Sequence, residues 1–167
     1  MKRWALFLVV LFSVSFVLLP GVSGAEEKIS GRVVMHNLKV ERFEVGDVPG
    51  HIRGTSQNAG LMFISNGEIA THTGTVMFDY VNGKGTFTVN RVFTYSDGST
   101  QFVKSIGATT PVDGGKKSVH EGTYECTGGT GRFERIRGKG TFKGEQLGSR
   151  ETGGDQYIDF TGTEWKK

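Results

Sequence analysis

Six side chains carry the chemistry open to this sequence. Arg91 and Lys104 are cations able to hold a carboxylate, His72 and His120 can donate or accept a proton, and Tyr95 and Tyr124 offer hydroxyls that orient a bound molecule. None belongs to a metal-ligand or nucleophile spacing. His36, His51, His72 and His120 fall on separate segments with no HExxH arrangement, so no metal site is expected. GxSxG is absent, and Lys139 is followed by Gly140 where a phosphate loop needs Ser or Thr. GKGTFKG does not match the dinucleotide fingerprint, so no cofactor is expected either. The single cysteine, Cys126, excludes an intramolecular disulfide and reads as a small buried hydrophobe, with a reactive thiol as the alternative.

What these residues can do depends on the elements that hold them. Helical periodicity is nearly absent, and runs of Val, Phe, Thr and Tyr alternate with Gly, Asn-Gly and Asp-Gly punctuation, which predicts an all-β domain. Strands are expected near Ile29–Phe43, His51–Ser56, Gly60–Ser65, Glu68–Tyr80, Lys84–Tyr95, Thr100–Ala108, Lys116–Cys126, Ile136–Gln146 and Gln156–Trp165. GKGTF occurs at Gly83–Phe87 and again at Gly138–Phe142, consistent with a regularly bent sheet.

Asn82-Gly83 supplies the positive φ angles of a two-residue hairpin turn, and the register follows from it. Phe78 meets Phe87, Val76 meets Val89, Gly74 meets Arg91 and His72 meets Phe93. Tyr80, Phe78, Val76, His72, Phe87, Val89, Phe93 and Tyr95 then share an apolar face that must point inward. Arg91 lies on that face with space beside it at Gly74. A buried charge there needs a carboxylate partner, an outlet at the barrel mouth, or an anionic ligand group. If Asp97-Gly98 closes a two-residue turn, Lys104 falls opposite Arg91 and the pair favours a carboxylate. A three-residue loop with a bulge at Gly98 sends Lys104 outside instead. Farther on, Ser118, His120, Tyr124 and Cys126 share one face, either as ligand-orienting groups or as a hydrogen-bonded core His and Tyr.

Long meandering strands with short turns close most naturally into an antiparallel up-and-down eight-stranded β-barrel of calycin-like form, with a two-sheet sandwich as the alternative. Residues 1–25 read as a cleaved signal peptide: Lys2 and Arg3, an apolar run from Trp4 to Leu19, then Pro20, Ser23, Gly24 and Ala25. The run is shorter than the roughly 20 residues that span a bilayer, so no membrane span is expected after cleavage. Residues 26–167 form the single barrel domain, periplasmic or secreted. Removing Lys2 and Arg3 lowers Lys+Arg from 20 to 18 against 17 Asp+Glu, a net charge of +1. Nucleic acid is excluded as a partner, because the one basic run, Arg132, Arg135, Arg137, Lys139 and Lys143, is interrupted by Glu134.

Gly122-Thr123-Tyr124, then GGTGRF at Gly128–Phe133, then Gly138, Gly140 and Phe142 resemble the C-terminal part of the allene oxide cyclase and dirigent-like barrels. The resemblance implies an eight-stranded antiparallel barrel with a mostly apolar cavity, often a homo-oligomeric trimer, and exported in the dirigent branch. Its plant members cyclise an unsaturated fatty-acid epoxide or steer phenoxy-radical coupling. The residues themselves favour a barrel that binds a small, largely hydrophobic molecule, with Arg91 and Lys104 meeting a polar or carboxylate end. A cyclase or dirigent-like enzyme and a ligand-free structural barrel filled by Phe and Tyr are the alternatives.

Overall fold

A computed structural model of the chain describes residues 26–148 and 154–167. The expected signal peptide lies outside the described residues. Eight strands follow in order: β1 Glu27–Glu44, β2 His51–Ile64, β3 Ile69–Val81, β4 Lys84–Tyr95, β5 Thr100–Val112, β6 Lys117–Gly129, β7 Ile136–Gln146 and β8 Gln156–Lys166. Each pairs antiparallel with the next, and β8 returns to β1, closing the barrel. Over Glu27–Met35, where β1 meets β8, closure removes the sheet edges that are the main hazard of an isolated antiparallel meander.

The Asn82-Gly83 turn sets the β3–β4 register as its residues dictate. Asn82 and Gly83 take φ of 52° and 78°, and Phe78↔Phe87, Val76↔Val89, Gly74↔Arg91 and His72↔Phe93 are partners. At the other end of β4 the loop holds three residues. Gly98 takes φ of 80°, and the amides of Gly98 and Tyr95 donate to the carbonyls of Tyr95 and Ser99. That extra residue shifts β5 by one position. Lys104 therefore pairs with Asn90 and is exposed on the outer face, and Val103 occupies the inward place opposite Arg91.

The two segments expected at His51–Ser56 and Gly60–Ser65 are one strand. Gln57-Asn58-Ala59 reads as a polar interruption, yet Asn58 pairs with Asn37 on one side and Gly74 on the other, and its side chain is buried in the lumen. Leu38 is the extra residue of a bulge in β1, and the β1–β8 pairing reaches only Met35↔Gln156. Beyond that point β1 pairs with β2 alone.

GGTGRF closes the barrel end opposite the Asn82-Gly83 turn. Thr130 donates its amide to the Thr100 carbonyl at 2.8 Å, and the Phe133 ring packs 4.5 Å from Tyr95. Arg132 lies over Tyr95 at 4.6 Å and bonds Glu68 at 2.6 Å. A Cβ at Gly131, where φ is 59°, would stand 2.4 Å from Ser99 Oγ, so the tight approach requires glycine.

Candidate functional site

Inward-facing aromatics do not fill the lumen, because several lie flat against the wall. Tyr124 covers Gly140 and Gly162, and a Cβ at Gly140 would sit 2.5 Å from the Tyr124 ring. The two GKGTF copies place Phe87 and Phe142 with ring centroids 6.2 Å apart across the interior. Two cavities remain. The upper, about 70 Å³, lies toward the Asn82-Gly83 end among Val76, Phe78, Tyr80, Phe87 and Val89, with Asn58, His120, Gln146 and Gln156 as polar lining. The lower, about 30 Å³, lies toward the GGTGRF end among Val33, Met62, Phe93 and Phe160, with Gln101, Ser105, Tyr124 and Glu164. Arg91, Phe142 and Ile158 line both, so they form a waist between the chambers.

Arg91 is 5% exposed, and among the described residues no carboxylate lies within ion-pair distance. Its Nη1 donates to His72 Nε2 at 3.0 Å and approaches Met35 Sδ at 3.6 Å. Arginine can only donate, so His72 accepts at Nε2 and carries its hydrogen on Nδ1. Burial first, and the Arg91 charge second, hold His72 neutral with a pKa down at about 3. Burial lowers Arg91 to about 10, which leaves it charged at neutral pH. Arg91 Nε, His72 Nδ1 and Asn58 Oδ1 are buried without a hydrogen-bond partner among the described residues. Gly74 makes room for this cluster, since a Cβ there would stand 2.4 Å from Asn58 Oδ1. The result is a fixed cation in an apolar interior with part of its hydrogen-bonding capacity unused.

Of the other sequence candidates, His120 lines the upper chamber and Tyr124 the lower, and Tyr95 lies at the lower barrel end outside both. His120 is in the upper wall, its Nδ1 3.0 Å from Thr109 Oγ1, which in turn bonds the Tyr80 hydroxyl at 3.1 Å. Tyr124 and Tyr95 are at the lower end. Tyr95 donates to Gln101 Oε1 at 3.2 Å, and Gln101 Nε2 donates to Glu164 Oε1 at 2.5 Å. Burial raises the pKa of both tyrosines, and lifts Cys126 to about 11, so all three stay protonated at neutral pH. Lys104 joins neither chamber. Among the described residues no group of His, Cys, Asp or Glu is arranged to hold a metal ion, and no helix is long and apolar enough to cross a membrane.

Glu164, Gln101 and Asn58 are site residues that sequence reasoning missed, and Glu164 had a legible signal. Its signal is parity: Ile158, Phe160, Gly162 and Glu164 alternate on one face of β8, so an inward Phe160 commits Glu164 to the lumen. Gln101 was hidden by the undecided β4–β5 loop, and Asn58 by its place in an apparent gap between strands.

No protein-family model and no curated protein matches the sequence. Among solved structures, the chain is similar to the pterocarpan synthase dirigent protein GePTS1, with a TM-score of 0.51 and 14% identity over 93% of this chain and 97% of that one. At that identity the likeness is one of fold, a dirigent-like β-barrel.

Proposed function

We propose that this chain is an exported β-barrel that binds a small, largely hydrophobic molecule in its lumen, with an acidic group of that molecule meeting Arg91. One observation carries the reading: a charged guanidinium, buried at the waist of a partly hollow barrel, has no carboxylate beside it among the described residues. An uncompensated buried charge costs several kcal/mol, and an anionic ligand supplies the missing partner. Chamber size narrows the class. A cavity of about 150 Å³ holds benzene, and chambers of about 70 and 30 Å³ are smaller than that even taken together, so binding requires the lumen to widen, by less for a short acid than for a long-chain one.

The test is thermal melting of delipidated protein with medium-chain fatty acids. At a hundredfold excess over Kd, hexanoate or octanoate is expected to raise Tm by about 5–10 °C, and Arg91→Met to abolish the gain. Absence of any shift in the wild type would overturn the reading.

The dirigent fold supports a second reading, an enzyme that holds a reactive intermediate in one conformation while Arg91, His120 and Tyr124 stabilise charge. Its mark is a product of altered stereochemistry from a phenoxy-radical or epoxide substrate, and a product distribution identical to the uncatalysed control counts against it. Homo-oligomerisation as a trimer belongs to the same proposal and is read by native mass spectrometry.

A further inference from the structure

Glu164 and Arg91 stand on one row of the barrel. The partners run Arg91↔Val103, Val103↔Cys126, Cys126↔Gly138 and Gly138↔Glu164. In a ring of eight strands β4 and β8 are four apart, so the two side chains enter the lumen from opposite walls. Both line the lower chamber, yet they form no ion pair. The gap of about 30 Å³ has room for about two water-sized atoms, the dimensions of a carboxylate's oxygens. The groups around it are suited to donate. Arg91 Nε and the Tyr124 hydroxyl are both buried without a partner among the described residues. Ser105 adds a second hydroxyl to the chamber wall. Gln101 occupies one Glu164 oxygen and leaves the other for a second contact.

We propose that the lower chamber is the carboxylate pocket of the lumen, where the ligand's carboxylate lies between Arg91 and Tyr124 with a protonated Glu164 as third donor, so that each ligand bound takes up one proton. This rests on the reading of the chain as a binder of a hydrophobic acid. Two carboxylates cannot both keep their charge in one apolar chamber, so the second to arrive forces a proton onto the pair. The apolar body then rises past the waist toward Phe78, Phe87, Val76 and Val89.

Glu164 is placed to accept that proton. Burial chiefly, and Glu27 directly across the β1–β8 pair, raise its carboxyl, and the Gln101 bond opposes them. Tyr124 of β6 lines the same chamber, Cys126 of β6 and Tyr95 of β4 lie near Glu164 outside it, all three stay protonated, and the β7 partner Gly138 has no charge. In the outer cleft that also touches Glu164, Arg132 is held by Glu68, with Lys28 and Lys166 on the rim.

Calorimetric titration of the wild type with hexanoate, in buffers of different ionisation enthalpy, reads the proton directly and needs no variant. Above the pKa of Glu164 one proton is expected per hexanoate, with affinity falling about tenfold per pH unit. Glu164→Gln removes the uptake and flattens the pH profile. Tyr124→Phe weakens binding about five- to tenfold and keeps the uptake. If hexanoate binds through Arg91 with no proton uptake, and neither substitution alters affinity, the pocket is wrong and the broader reading stands. If hexanoate does not bind the wild type, both fall together.

Discussion

His72 and Arg91 illustrate how one buried cation dictates its neighbours. Protonated His72 would face Arg91 at 3.0 Å in an apolar interior, so the folded state keeps the imidazole neutral to about pH 3. In the unfolded chain the same ring titrates near its ordinary 6.5. The folded pKa is depressed, so below pH 6.5 the unfolded state binds one more proton than the native state, and stability falls as pH falls. The expected loss is about 1.4 kcal/mol per pH unit between pH 6.5 and 3. His72→Gln, which keeps an acceptor for Arg91, should unfold in acid with one fewer proton taken up. A His72 ring resonance that shifts between pH 5 and 7 in the native protein would contradict this. Arg91 itself is a cost in the empty barrel. Arg91→Met should leave the ligand-free protein as stable as the wild type or more so, by up to about 3 kcal/mol in urea unfolding, since an apolar side chain of similar length needs no counter-charge. Marked destabilisation by this substitution would mean that Arg91 has an anionic partner in the empty barrel.

The β1–β2 hairpin is pinned at its tip by a charged clamp. His51 lies between Asp47, at 2.5 Å, and Asp79, at 2.7 Å, and Arg53 Nε also bonds Asp79 at 2.6 Å. Hydrogen bonds to Asp79 first and Asp47 second raise His51, and the same bonds lower both aspartates. For the raised His51, its contribution is complete below its unfolded pKa and is lost as pH rises through the folded one. For the lowered aspartates it is present above their unfolded pKa and lost as pH falls. The clamp is therefore tightest from roughly pH 4 to about 6.5. Exchange of the Val45 amide, which bonds the His51 carbonyl at 3.0 Å, should quicken above and below that window, and His51→Ala should flatten the profile. The wild type and variant showing the same pH dependence would exclude the clamp. Elements of this kind were unevenly legible in the sequence. Asn82-Gly83 dictated a complete register, because a two-residue turn admits one pairing and the apolar set must face one way. Ser96-Asp97-Gly98 did not, because two- and three-residue closures both place Gly98 at positive φ, and the single residue between them carried Lys104 from the lumen to the outside. Asp79 and His51 are 28 positions apart, and local pattern holds no information on which strand brings a distant carboxylate to a histidine.

At the scale of the molecule, closure is uneven along the seam. Arg32 holds Asp159 through two bonds, at 2.6 and 2.7 Å, just above the middle of the β1–β8 contact, and the pairing ends at Met35↔Gln156. His36 bonds Asp155 at 2.8 Å just above. From residue 37 to 44 β1 is paired on one side only among the described residues, and Leu38, Val40 and Phe43 are exposed there. A strand with one neighbour opens more easily than one with two, because half its interstrand bonds and little buried area resist the motion. This segment also borders the upper chamber through Val40, so its opening widens the way in at the end opposite the Arg132–Phe133 closure. Strand amides of residues 37–44 are therefore expected to exchange with solvent faster than those of β3, β4 and β5. A bound acid filling the chamber beside Val40 should slow them several-fold and leave the β4–β5 loop at residues 96–98, at the opposite end of the barrel, unchanged. Uniform protection around the whole barrel, or a ligand effect confined to the Arg132–Phe133 end, would place the entrance elsewhere.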